Sequence, residues 1–483
     1  MHEVCRSAGN AHWILPRRCS PRTVPRSGPS RRLRGLWPPG GSARRGRGSA
    51  RPHARCPRGA AMMTPPLSAA IVFALLLLAP LALAGLALVN AGLGRSRSAA
   101  QSLLGSLAIM AAAFIAFAGV GACFAGPDGA LSFNLAGKSW NWLGTAPVLL
   151  LHLARSPIES QLGVLFECLA AALVSIIPWG AGADRLRLAA GWAIAALMGA
   201  LGFPVLAHWV WGAGWIGQLG ANFGLGAGFL DPAGGATVHV LGGAGALAVV
   251  WIAGPRRGKF PKEGLATAMP AHNATFVLAG CMIAVVGWLA FNCAGALLWL
   301  HADLNGLVIT ALNTLLAAAG ALGATLVVTW IRFGKPDASL CANGWLAGLV
   351  TSSASAALIP PAAALFTGVV MGIATPLLVE FLELALSIDD PAGAISVHFA
   401  GGLWGVFVAG VFAPQKGQLL AQLAGMAAVV GVFLPTVYFA FKLLDRFIPL
   451  RVDPDGERIG MDLHELGGGA YPEFVIHRDE SYR

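Results

Sequence analysis

Two stretches of this chain repeat one another. DPAGGATVHVLGG begins at residue 231 and DPAGAISVHFAGG at residue 390, with eight of thirteen positions identical in register. The shared residues include Asp231/Asp390, Gly234/Gly393 and His239/His398, and both histidines sit among apolar neighbours. An imidazole donates or accepts a hydrogen bond at each ring nitrogen and exchanges a proton near neutral pH. Three uses suit such a matched pair. Each histidine could simply hydrogen-bond a neighbouring helix. The pair could ligate haem or a metal, although there is one pair, no CxxCH, and no further ligand nearby. Or the rings could line a narrow apolar conduit for a small polar solute, with Gly234, Gly235, Gly242, Gly243, Gly401 and Gly402 letting backbones approach. No catalytic group, metal or cofactor is expected.

The elements that must position these residues are membrane helices. The chain is 56% hydrophobic and only 11% charged, whereas soluble domains are about 25% charged. Continuous apolar runs long enough to cross a bilayer recur from residue 68 to residue 446 and exclude the short alternating pattern of a β-barrel. The runs predict an all-α membrane protein with eleven transmembrane helices near 68–92, 99–125, 160–182, 189–211, 234–254, 272–300, 306–332, 341–358, 360–387, 394–413 and 418–446. The first run could also read as a signal peptide with a cleavage site at Ala82-Leu83-Ala84. It continues to Val89 and is followed by Arg95 and Arg97, which fits an anchor better.

Basic residues set the orientation. Arg95/Arg97, Arg185/Arg187, Arg256/Arg257/Lys259/Lys262 and Arg332/Lys335 occupy alternate loops, and Arg451 and Arg458 follow the last run. The expected topology is N-out/C-in. The outer loop 126–159, with Lys138 and Arg155, and the inner loop 388–393, with no basic residue, fit less well. His239 and His398 then lie in spans five and ten, which run in opposite directions. Two inverted five-helix repeats plus a final helix would bring both to the midplane, where transport pathways lie.

The net charge of +11 is local. Residues 1–60 hold 14 arginines, no lysine and one glutamate, and the remainder holds 19 basic and 21 acidic residues. The expected domains are an Arg/Pro-rich disordered extension over 1–61, a transmembrane domain over 62–447 and a cytoplasmic tail over 448–483. The extension reads as an unstructured arm, or as sequence upstream of a true start at Met62 or Met63, rather than as a nucleic-acid-binding segment. Eight cysteines form no CxxC and read as small buried hydrophobes.

These residues resemble a known family. LDPAGGATVHV is similar to the LDFAGGTVVHI signature of the ammonium transporter family (Amt/Mep/Rh). HWVWGAGW at 208–215, PAHN at 270–273, GWLAFNCAG at 287–295, IRFGKP at 331–336, ANGWLAGLV at 342–350 and DDPAGAISVHFAGGLWG at 389–405 follow in the family's order. ADRLRL at 183–188 resembles its AERIRF loop, and LRVDPDGERIGMDLHELGGGAY at 450–471 its C-terminus. The resemblance implies an ammonium transporter or channel of the inner membrane, multi-pass and homotrimeric, with a pore in each subunit. It implies that His239 and His398 line the pore, Trp211 and Asp231 serve ammonium recruitment, and Phe291 gates the outer end. Ammonia and a proton would cross separately. A PII-type signal protein is the implied partner of the tail.

Four positions depart from the family pattern. The second gate phenylalanine falls on Ala170, with Phe166 one turn earlier. A serine is replaced by Gly295, an aspartate by Gly393, and a phenylalanine by Ile395. The expectation is an outer site reduced to Trp211 with Phe291 below it. That suits a faster, weaker channel, a Rh-like neutral ammonia channel, or an ammonium sensor with little flux.

Overall fold

A computed structural model describes residues 65–126 and 129–471. The extension over 1–61 and the start at Met62 or Met63 lie outside the described residues. The fold is helical. Among the described residues, ten helices are long and apolar enough to cross a membrane. They are α1 (Leu67–Leu93), α2 (Ser96–Ala125), α3 (Ile158–Ala181), α4 (Leu188–Val210), α5 (Gly235–Ala253), α6 (Ala274–Leu300), α7 (Leu304–Phe333), α9 (Pro361–Leu384), α10 (Ile395–Phe412) and α11 (Gln418–Phe447). The eighth expected span is α8 (Ala338–Ser355). Its 18 residues reach about 27 Å, but its apolar character is diluted by Asn343, Ser352, Ser353 and Ser355, all buried. Ser352 and Ser353 accept hydrogen bonds from a neighbouring helix, and Ser355 donates to the Thr351 carbonyl of its own. Asn292 donates to Ser352, for example, at 2.9 Å.

The helices break where backbone chemistry dictates. Pro80 interrupts α1, because proline has no N–H for the ladder. π-helical turns lie within α2, α4 and α11 and begin α5 and α10. Each inserts one residue into the turn and rotates the remainder of its helix. Large apolar side chains such as Leu107, Ile115, Val308, Ile331 and Phe366 are exposed on the outside. A surface of that kind is stable in lipid and not in water.

The stretch between α2 and α3, expected as a plain loop, contains an antiparallel hairpin. Strands β1 (Gly129–Leu135) and β2 (Lys138–Gly144) pair there. Trp142 stacks on Trp215, centroids 5.6 Å apart, and meets Trp209 edge-on. Aromatic packing thus accounts for order in a segment that lacks an apolar periodicity.

Helices α5 and α10 run in opposite directions, as the repeat predicted. Asp389 precedes α10 and Arg256 follows α5, yet the two are joined by a bidentate ion pair at 2.9 Å. The same end gathers Asp184, Arg185 and the C-terminal tail. Asp462 accepts from the backbone N–H of Gln101 at 2.7 Å and Glu465 from that of Leu188 at 3.0 Å. Both N–H groups belong to first helical turns, which lack intrahelical acceptors. The tail is thereby fastened to α2 and α4. Of the cysteines in the described residues, all five are free; Cys281, Cys293 and Cys341 are buried, and Cys123 and Cys168 partly so.

Candidate functional site

The two copies of the repeat fold alike. Gly234 and Gly393 have φ of +79° and +65°, which a side chain would resist. The chain turns back there, so the aspartate carboxylate meets the start of the next helix. Asp231 accepts from the N–H groups of Ala236 and Thr237 at 3.0 and 2.7 Å, and from the Thr237 hydroxyl at 2.7 Å. Asp390 accepts from the N–H of Ile395 at 2.7 Å. The aspartates are therefore helix caps. Burial raises the Asp231 carboxyl above its usual range, while its hydrogen bonds from Thr237 and Ala236 pull it back.

Each cap starts a π-helical turn, Gly235–Val240 and Ile395–Ala400, and each turn carries a histidine. His239 and His398 are buried, at 1% and 4% exposure. Their Nδ1 atoms are 3.2 Å apart. The glycines are needed for this approach: a Cβ on Gly402 would overlap the Gly235 carbonyl, and one on Gly243 would come within 2.6 Å of Phe399.

The 3.2 Å separation constrains the chemistry. Two nitrogens of a tetrahedral metal ion, each about 2.0 Å from it, would also lie about 3.3 Å apart, but such a site takes further ligands, and no group of three or more His, Cys, Asp or Glu is placed to hold a metal among the described residues. The distance fits a hydrogen bond with a single shared proton, one Nδ1–H donating to the other Nδ1. His239 Nε2 faces Ser353 Oγ at 3.4 Å. That hydroxyl accepts from Trp288 Nε1 at 3.1 Å and lies 3.4 Å from the Leu349 carbonyl. If the serine donates to Leu349, His239 donates through Nε2, and its Nδ1 accepts from His398. Reversing the serine proton reverses the set, so the pair has two neutral arrangements.

One face of α6 leads away from the pair. Trp288 stacks on His239, with centroids 5.4 Å apart. Phe291, Gly295 and Trp299 come next at helical spacing, and the stripe spans about 16 Å. Phe166 of α3 lies face to face with Phe291, centroids 4.2 Å apart. Trp211 meets Phe166 edge-on at 5.3 Å and lies parallel to Trp299 at 5.5 Å. The Trp211 indole N–H donates to the backbone carbonyl of Asp231 at 2.7 Å. Beyond these rings a cavity of about 440 Å³ opens, lined in part by Trp211, Trp299 and Glu167.

At His398 the free space falls to about 10 Å³, walled by Leu86, Ile176, Leu346 and Val397. That is at the lower limit for one water molecule. At the far end a second cavity of about 520 Å³ is lined by Arg256, Lys259, Asp389 and Asp390 among others. Arg256 bridges Asp389 and Asp184, at 2.9 and 3.0 Å, and Arg185 donates to the Asp389 carbonyl at 2.8 Å. Burial would raise the Asp389 carboxyl, but the Arg256 hydrogen bonds and the Arg185 charge outweigh it and hold it at about 2.

Residues 69–471 match the Ammonium Transporter Family. The chain is 34% identical over 425 residues to the ammonium transporter Amt2 of Archaeoglobus fulgidus, covering 82% of this chain and 86% of that one. This chain belongs to the ammonium transporter family. Among solved structures it is similar to a protein titled "Sensor Amt Protein", with a TM-score of 0.75, 27% identity, and coverage of 83% and 98% of the two chains. It also shares the fold of Candida albicans Mep2, with a TM-score of 0.69, 24% identity, and coverage of 84% and 90%.

The departures from the family pattern now have structural readings. Ala170 does not leave Phe291 alone, because Phe166 stacks on it. The aromatic that α3 presents to Phe291 is thus Phe166, one turn before Ala170. Trp299 and Phe166 pack against Trp211. Sequence reasoning missed Trp299 among several interfacial tryptophans; its spacing of eight residues from Phe291 was the available signal. At Gly295 a Cβ would overlap the Pro232 carbonyl, so the loop carrying Asp231 occupies the space a serine would need. Gly393 has the left-handed backbone described above. Ile395 donates its backbone N–H to Asp390, which any residue but proline would do.

Proposed function

We propose that this member of the ammonium transporter family conducts ammonium through a pore lined by His239 and His398, with Trp211 and the Asp231 loop at the recruitment site and Phe291, paired with Phe166, as gate. The observation that carries the reading is the 3.2 Å Nδ1–Nδ1 contact. It lies between two cavities and beside a space too small for a hydrated ion. Ammonium and potassium are similar in size, so the pore must discriminate by chemistry. A desolvated aromatic face attracts either cation, by about 2 kcal/mol or more. Only ammonium can then leave its proton and continue as a neutral molecule able to hydrogen-bond to imidazole. Potassium stays charged, and an apolar constriction excludes it.

The remaining features belong to the same reading. The transmembrane domain over 62–447 crosses as eleven helices, N-out and C-in, in the inner membrane. The tail-side position of Asp184, Arg185 and Arg256 supports that orientation through the excess of basic residues at cytoplasmic ends. The protein works as a homotrimer, and the tail over 448–483 offers a site for a PII-type signal protein. A sensor with little flux is the second reading, favoured by the similarity to the sensor protein.

Solid-supported-membrane electrophysiology on proteoliposomes separates them. A saturable ammonium-induced current, absent from His239→Ala/His398→Ala, is expected. A folded protein that binds ammonium without current would establish the sensor reading instead. Ammonia-dependent pH changes without current would establish neutral conduction.

A further inference from the structure

Glu167 has no role in anything described so far. It lies on α3 one residue after Phe166 and is 6% exposed. Ser160, Gly163 and Glu167 recur at spacings of three and four, so they share one helical face, and all three line the 440 Å³ cavity with Trp211 and Trp299. Gly163 sits against Trp299, where an added Cβ would lie 3.6 Å from the indole. The Glu167 carboxylate makes no hydrogen bond or ion pair among the described residues. No lysine or arginine is among the described residues lining the cavity; Glu159, His152 and His301 are. A carboxylate left unpaired in such a place is costly, and one kept within a membrane segment calls for a partner.

We propose that Glu167 and Trp211 together form a monovalent-cation site in the outer cavity, with the Glu167 carboxylate accepting a hydrogen bond from ammonium held against the indole face. The inference rests on the reading that this cavity takes up ammonium. It supplies from α3 an acceptor that Gly295 of α6 lacks. Trp211 cannot supply that acceptor, because an indole N–H only donates, and this one donates to the Asp231 carbonyl. The carboxylate attracts ammonium and potassium alike, so it sets occupancy, and discrimination stays with the constriction beyond.

The test measures binding as well as flux. The full-length protein in nanodiscs is titrated with ammonium chloride, then potassium chloride, and read by calorimetry. Glu167→Gln keeps the shape and removes the charge. Its ammonium dissociation constant is expected to rise at least tenfold, with potassium binding weakened in parallel and Glu167→Asp partly restoring both. Unchanged affinity in a folded Glu167→Gln protein would overturn the proposal, whatever the current. Absence of ammonium binding to the unaltered protein would overturn it too. Binding that depends on Glu167 without any current would uphold the site and remove the transport reading. If Glu167→Gln does not fold, the unaltered protein still decides: an ammonium-induced infrared change in the carboxylate stretch is expected, and a flat carboxylate region counts against the site.

Discussion

Phe166 and Phe291 lie face to face on different helices, ring centroids 4.2 Å apart and planes inclined by 15°. They lie between the outer cavity and the imidazole pair. Phe166 is fully buried. Replacing it by alanine is expected to lower stability by about 3–5 kcal/mol and to open the cavity toward His239. Detergent melting curves would read the first effect and potassium leak in proteoliposomes the second. An unchanged potassium barrier would show that Phe291 closes the passage alone.

Ser353 joins the pair to Trp288. Its hydroxyl decides which imidazole nitrogen carries a proton, at the cost of one hydrogen bond worth about 1 kcal/mol. Ser353→Ala is expected to reduce ammonium current about fivefold, the equivalent of that energy, while the fold is kept. Retention of full current would mean that the pair chooses its tautomer without the serine.

Restoring the serine at position 295 should fail. The new Cβ would overlap the Pro232 carbonyl, and overpacking of this kind costs about 1–3 kcal/mol. Gly295→Ser and Gly295→Ala are therefore expected to lose similar stability, with no gain in ammonium affinity from the hydroxyl. A tighter Gly295→Ser protein would show that the Asp231 loop yields.

The Asp389 carboxyl is held at about 2, below an unfolded value near 3.9. A depressed carboxyl contributes stability that is present above the unfolded value and lost as pH falls through the folded one. The shift corresponds to about 2–3 kcal/mol. The stability difference between the unaltered protein and Asp389→Asn should be constant above about pH 5 and shrink from about pH 4 to about pH 2. A difference independent of pH would sink the assignment of the ion pair with Arg256.

Asp462 and Glu465 hold the tail by capping helical first turns, each worth about 1 kcal/mol. Asp462→Ala/Glu465→Ala should speed amide hydrogen exchange across residues 453–466 and leave α5 and α10 unaffected. Unchanged exchange would place the tail's anchorage in Arg451 and Glu457, which pair at 2.7 Å.

Much of this was legible in one dimension. Bilayer thickness sets a length scale that apolar runs must match, so the spans agree with the helices to within a few residues. The thirteen-residue repeat placed His239 and His398 on oppositely directed helices, because spacing and hydropathy are local properties that survive without coordinates. Other features needed the packed molecule. Ala170 reads as a lost gate in register, and only the rotation of α3 against α6 brings Phe166 onto Phe291. The sequence resemblance assigns Asp231 to recruitment, and only the left-handed turns at Gly234 and Gly393 show that the Asp231 and Asp390 carboxylates cap the helices that follow. Glu167 belongs to none of the sequence motifs. That its carboxylate lines a cavity with no lysine or arginine among the described lining residues depends on which faces of α3 and α6 meet. Contact between distant segments is decided by helix rotation and side-chain volume, and neither is written at any single position.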